Sequence, residues 1–230
     1  MQFIETANYP SPLAVGDSSS LAIPHSWQQH RHPNGDVYYY NPHLRLITPE
    51  DIRDPAMLGF VLDAREDHLQ CLRDDSCLGQ LPDDWELTLS DVTDSAAVIG
   101  MHSRKEGLSY EWAEEKSLEI LKPEHFWSHV AEYPSHHDHL PPNTEAAFVQ
   151  ALTDAKMSLE NGSTFPFTRA QIDQVIERYQ ILKNLQAEGK IVVPAMAWLM
   201  GAVMPLDACG GAYTDETLQE LMEGLQLDKF

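Results

Sequence analysis

His30-Arg31-His32-Pro33-Asn34-Gly35-Asp36-Val37-Tyr38-Tyr39-Tyr40-Asn41-Pro42-His43-Leu44-Arg45-Leu46-Ile47-Thr48 carries the most specific structural pattern in the chain. Aromatic and β-branched runs flank His32-Pro33-Asn34-Gly35, a combination that punctuates strands with a tight turn. The zone from Leu21 to Asp54 therefore reads as short antiparallel strands. Asp54 then supplies a helix N-cap and Pro55 a first helical residue whose missing N–H costs nothing there. Leu58, Val61, Leu62, Leu69 and Leu72 mark the apolar stripe of that helix. Gly79 to Asp84 is a polar break.

Beyond the break, Trp85, Leu87 and Leu89 alternate as a half-buried strand, and Ala96 to Met101 and Leu108 to Trp112 read as two more. The remainder is helical. Pro123 opens a helix through Val130. Phe148, Ala151, Leu152, Ala155 and Leu159 form a stripe ending at Gly162. Thr168 and Gln171 make a capping box for a helix bearing Ile172, Val175, Ile176, Tyr179 and Leu182, stopped near Gly189. A last helix is expected from about Thr214, burying Leu218, Leu221, Met222 and Leu225. The most apolar stretch, Ile191 to Leu206, contains Pro194 and Pro205 and falls short of the roughly 20 residues a bilayer crossing needs, so it reads as a buried helix. The expected class is α+β, with small antiparallel three-stranded sheets packed on a mainly helical body.

The first zone resembles a WW domain. Pro24 stands three residues before Trp27, and Gly35, Tyr38, Tyr39 and Asn41 follow at the spacing of that module. The resemblance implies that Pro24 and Trp27 clasp the back of a three-stranded sheet, while Tyr38 and Tyr40 flank a groove for a proline-rich ligand. Where the module has its second Trp this chain has Pro49, and where it has a groove histidine this chain has Pro42, so the platform lacks a wall. Leu81-Pro82-Asp83-Asp84-Trp85, with Trp112 as the later Trp, looks like a worn repeat. Taken whole, the chain is similar to WW-domain-containing proteins of basidiomycete fungi, through HRHPNGDVYYYNPHLRLIT, LPDDWEL, FWSHVAEYPSHH and STFPFTRAQ. That resemblance implies organisation and offers no reaction. The organisation read from it is an N-terminal tail (1–20), a WW-like module (21–54), a connecting helix (55–80), a second degenerate WW-like sheet (81–116) and a helical domain (117–230).

The run with the most chemistry is Glu124-His125-Phe126-Trp127-Ser128-His129-Val130-Ala131-Glu132-Tyr133-Pro134-Ser135-His136-His137-Asp138-His139. His125 and His129 are i and i+4 on one helix, a spacing that can bind zinc, and His136 or His139 can fold back after Pro134. Glu132 lies one turn beyond His129. With an open coordination position, such a site activates water. The order HExxH is absent, and the other reading is a solvated segment beside a core helix, with His129 as a hydrogen-bonded core histidine.

Composition narrows the classes. Of 230 residues, 15 are Lys or Arg and 36 are Asp or Glu, a formal charge of −21, while 43% are hydrophobic, enough to bury a core. That acidity argues against sequence-independent binding to nucleic acid or an anionic membrane. The N-terminal stretch has no basic region ahead of an apolar run, and Cys71, Cys77 and Cys209 have no metal-like spacing, so cytoplasm or nucleus is the expected compartment. Glycine-rich phosphate loops, GxSxG and CxxC are missing.

Two functions remain, and the sequence leaves open whether the chain is an enzyme. The leading expectation is a non-catalytic interaction protein, without cofactor, binding a proline-rich or basic protein segment through Trp27, Tyr38 and Tyr40. The alternative is a small intracellular enzyme of secondary metabolism, with zinc held by His125, His129, His136 and His139. It would carry out metal-assisted hydrolysis, or an acid–base elimination or cyclisation through His129 and Glu132.

Overall fold

The computed structural model describes residues 22–113, 116–161 and 167–204. The first hairpin pairs β1 (Gln28–Arg31) with β2 (Val37–Asn41). Its turn closes through Gly35 N–H to the His32 carbonyl and His32 N–H to that of Asp36. Gly35 sits at φ 110°, where any side chain is strained. Asn41 folds the next turn by accepting the His43 and Leu44 N–H groups on its side-chain oxygen, and β3 (Leu46–Thr48) returns beside β2.

The chain then leaves the sheet as α1 (Pro55–Asp74). Asp54 caps it by accepting from Ala56 N–H, and Ser76 (φ 59°) closes it, with Cys77 N–H reaching back to the Leu72 carbonyl. Val61, Leu69 and Leu72 of the expected stripe are buried, whereas Leu62 is exposed. The crossover delivers β4 (Trp85–Ser90) alongside β3 in parallel, Leu46 opposite Leu87 and Ile47 opposite Thr88. From there β5 (Val98–Ser103), β6 (Leu108–Trp112) and β7 (Leu118–Ile120) continue as an antiparallel meander.

That parallel contact corrects the expectation of small separate WW-like sheets. Among the described residues there is one seven-stranded mixed sheet, in the order β1 to β7. The physical reason is the edge: β3 alone would expose a row of backbone donors and acceptors, and pairing with β4 satisfies them while burying Leu46 and Ile47 completely.

The helical layer comprises α2 (Pro123–Glu132), α3 (Thr144–Glu160), α4 (Arg169–Ala187) and α5 (Val193–Val203). The capping box at Thr168 and Gln171 is formed, and Gly189 (φ 83°) ends α4. Phe148, Leu152, Ile172, Val175, Leu182, Met196 and Leu199 fill the core between α3, α4 and α5. α5 is buried from Ala195 to Val203. At about 1.5 Å per residue it spans roughly half a bilayer core, and none of the described helices is long and apolar enough to cross a membrane. The expected helix from Thr214, the N-terminal tail and Cys209 lie outside the described residues.

Candidate metal centre between the sheet and helix α2

Alternation along the strands gives the sheet two unlike faces. Leu46, Leu87, Leu89, Met101 and Tyr110 form one core with Val61, Leu69 and Leu72 of α1, and Trp27 packs against it. Tyr38, Tyr40, Glu86, Thr88, His102 and Ser109 occupy the alternate positions, and all six are buried. They are covered by α2 and by the short 3-10 turn Pro134–His136. A layer that would ordinarily be apolar is therefore built of hydroxyls, imidazoles and one carboxylate.

Two devices bring α2 down onto that layer. Phe126, His129 and Val130 share its inward stripe, and Gly201 of α5 lets the two helices touch backbone to backbone. A Cβ at Gly201 would stand 2.6 Å from the Ala131 nitrogen. Pro134 then breaks the helix, and the turn places His136 and His137 beside His129. Ring nitrogens of His129, His136 and His137 lie within 4.8 Å of one another, and all three residues are buried.

Hydrogen-bond accounting distinguishes the three. His129 Nδ1 meets Thr88 Oγ1 at 3.3 Å, while its Nε2 has no partner among the described residues; both His137 nitrogens also lack one. Tyr38 Oη accepts the Ser135 and His136 N–H groups at 2.7 and 2.9 Å, so its own proton is directed to His136 Nδ1 at 3.1 Å. His136 Nε2 thus carries hydrogen toward Glu86 Oε2, 3.4 Å away. Glu86 also accepts from Tyr40 Oη and Arg104 Nη2, each at 2.8 Å.

Burial keeps these imidazoles neutral. It pushes His129 and His137 far below the ordinary histidine value, and His102 down to about 3. His136 is also lowered by burial, against the pull of Glu86. Burial acts to raise the Glu86 carboxyl, yet the hydrogen bond from His136, with the Arg104 guanidinium and the Tyr40 hydroxyl, holds it below its ordinary value.

Neutral imidazoles with unpaired nitrogens in a buried site have the chemistry of metal ligands. A buried polar atom without a partner costs about 1–3 kcal/mol, and these groups have three such nitrogens. The arrangement offers a zinc-class ion the unpaired nitrogens of His129 and His137, and His136 would join through Nε2 on release of the hydrogen that atom holds; His129 is oriented from behind by a hydroxyl. Zinc–nitrogen distances of about 2.0–2.1 Å would draw the rings somewhat closer. Beside the centre, a cavity of about 410 Å³ opens to Tyr40, Pro42, Arg45, Glu86, Arg104 and Lys105.

Of the histidines expected as ligands, His129 and His136 are in the cluster. His125 is exposed and outside it, and His139 is exposed and paired with Asp138. Glu132, expected as an acid–base partner of His129, is exposed and receives the Tyr133 hydroxyl. Tyr38 and Tyr40, expected to flank an open groove, are buried, with Tyr133 packed against them. Trp27 belongs to the opposite face. Sequence reasoning missed His137 as a ligand, and with it Glu86, Thr88 and His102. One signal was available: Gly100, a glycine inside a strand, where a Cβ would stand 2.6 Å from His102 Nε2.

Comparison with known proteins finds no matching family model, no matching curated protein and no matching solved structure.

Proposed function

We propose that this chain is a metalloprotein holding a zinc-class divalent ion at His129, His136 and His137, and that the centre serves metal-assisted hydrolysis. The observation that carries the reading is the convergence of three buried, neutral imidazoles, two of which have unpaired ring nitrogens. All-nitrogen donors suit zinc and its neighbours better than magnesium or calcium, which prefer oxygen. The ion supplies Lewis-acid activation of water. Glu86 stands between the centre and the cavity: its carboxylate lies 3.4 Å from His136 Nε2, and the residue contributes to the cavity wall. Its role in the reading is to take the proton of water, with Arg104 and the hydrogen bonds it accepts keeping it ionised beforehand.

The interaction reading is less well supported. The face bearing Tyr38 and Tyr40 is filled by the chain's own Tyr133–His136 segment, which a peptide would have to displace. The test is elemental analysis of tag-free protein, followed by calorimetric titration of the metal-stripped chain with zinc. One equivalent bound by wild type and none by a His129→Ala/His137→Ala variant is the expected result. A wild-type chain that is metal-free as purified and takes up no zinc would end the reading.

A further inference from the structure

We infer that Tyr38 is the positioning residue of the histidine centre: its hydroxyl holds the segment that carries His136 and His137. What the centre does rests on the metal reading above; what Tyr38 does rests on hydrogen bonding alone.

Two of the three clustered imidazoles lie where α2 has already ended. The Tyr133 N–H closes that helix on the His129 carbonyl, and Pro134 has no N–H to give. No strand carries the chain onward from there. The next two backbone donors, at Ser135 and His136, both go to Tyr38 Oη. The same hydroxyl then directs its proton to His136 Nδ1. A phenol oxygen has two lone pairs and one hydrogen, so this account is complete: Tyr38 binds backbone and ring of the segment with nothing left over.

The rest of the first hairpin reinforces the hold. Ser135 Oγ donates to the Arg31 carbonyl at 2.6 Å, His30 Nδ1 lies 3.1 Å from the Ser135 carbonyl, and His32 Nε2 lies 2.8 Å from that of Ala131. The Tyr38 ring meets Tyr133 edge-on at 5.2 Å and stacks on His30 at 5.5 Å. His136 is thereby gripped from two sides by one sheet face, Tyr38 at Nδ1 and Glu86 at Nε2. Binding of an ion at Nε2 would release the hydrogen that this atom holds toward Glu86. The aromatic face of the hairpin thus works inward, as a mould for a loop of the same chain.

The test uses the full chain as wild type, Tyr38→Phe, and Tyr39→Phe as the control that removes a hydroxyl from the opposite face of the same strand. Amide exchange at Ser135 and His136, followed by NMR without metal, is expected to be at least tenfold faster in Tyr38→Phe, with α4 unchanged. Cobalt(II) is expected to bind Tyr38→Phe about tenfold more weakly and with an altered visible spectrum, as for loss of an outer-shell partner. Tyr39→Phe should match wild type in both. His136→Ala, which keeps both backbone donors, should retain protection of the two amides; it also decides the matter should Tyr38→Phe not fold. Unchanged exchange in Tyr38→Phe, or loss of protection in His136→Ala, would overturn the inference. Cobalt binding by Tyr38→Phe with wild-type affinity and spectrum would overturn it equally. A wild-type chain that takes up no cobalt fails the metal reading instead, and the exchange data still decide what Tyr38 holds.

Discussion

His102 and His129 lie face to face, their ring centroids 3.7 Å apart and their planes 7° from parallel, although one belongs to the sheet and the other to α2. Each has Nδ1 tied to a hydroxyl, Ser109 for His102 and Thr88 for His129. The stack fixes the plane of His129 without taking its unpaired Nε2, which is the work of an outer-shell partner. His102→Ala should therefore weaken zinc binding by about ten- to a hundredfold without abolishing it. His129→Ala should abolish it. Competition titration against a chelator measures both, and wild-type affinity in His102→Ala would remove the role given to the stack.

The buried histidines also set how the metal-free chain responds to acid. Burial lowers His102 to about 3 and holds His129 and His137 well below 6.5. Above that ordinary value both folded and unfolded chains carry these rings neutral. Below it the unfolded chain takes up protons first, so stability is lost as pH falls from the unfolded value toward the folded one. Each such ring steepens the loss by about 1.4 kcal/mol per pH unit. Urea midpoints of the metal-free protein should drop sharply between about pH 7 and about pH 5, before ordinary carboxylates titrate. A flat midpoint across that interval would show that the rings are not held neutral in the folded chain.

What was legible in the sequence was local. Asp54 with Pro55, Thr168 with Gln171, the turn at Gly35 and the alternation of Trp85, Leu87 and Leu89 each report on neighbours within a few residues, and each element is where those signals put it. The parallel pairing of Leu46 with Leu87 was not legible, because it depends on how α1 crosses the sheet. Nor was the polar layer: Glu86 and Thr88, between apolar neighbours, read as a solvated face until a second layer covers them. His125 shows the limit of spacing alone. It is one turn from His129, yet Phe126 and Val130 set the inward stripe and leave His125 exposed. His137 follows a broken helix, where no periodicity applies.

Gly201 is the residue on which the approach of α2 depends. A methyl there would meet the Ala131 nitrogen at 2.6 Å, the Trp127 carbonyl oxygen at 2.8 Å and Ala131 Cα at 2.9 Å, all backbone atoms unable to rotate aside. Gly201→Ala must push α2 off α5, at a cost of about 1–3 kcal/mol typical of overpacking. Because α2 carries His129, the same substitution should weaken zinc binding although residue 201 is no ligand. Urea unfolding and zinc titration of this one variant check both; unaltered stability would mean that the helices separate without penalty.

Glu86 and Arg104 form the pair whose loss should separate charge from ordinary hydrogen bonding. The Glu86 side chain is 2% exposed and that of Arg104 18%. Glu86→Gln keeps the shape and one acceptor oxygen, enough for Tyr40 but with the amide NH2 then facing His136 Nε2, and it leaves the guanidinium with the more distant Asp138 carboxylate, at 3.7 Å, as its counter-charge among the described residues. Breaking a buried pair from one side costs about 3–5 kcal/mol, and the partial exposure of Arg104 places this one near the lower end. Tyr40→Phe removes a single hydrogen bond to the same carboxylate and should cost about 1 kcal/mol. Chemical denaturation of the two variants side by side gives the comparison. Should Glu86→Gln lose no more than Tyr40→Phe, Arg104 would be finding its counter-charge in solvent, and the ionised state of Glu86 would need another source.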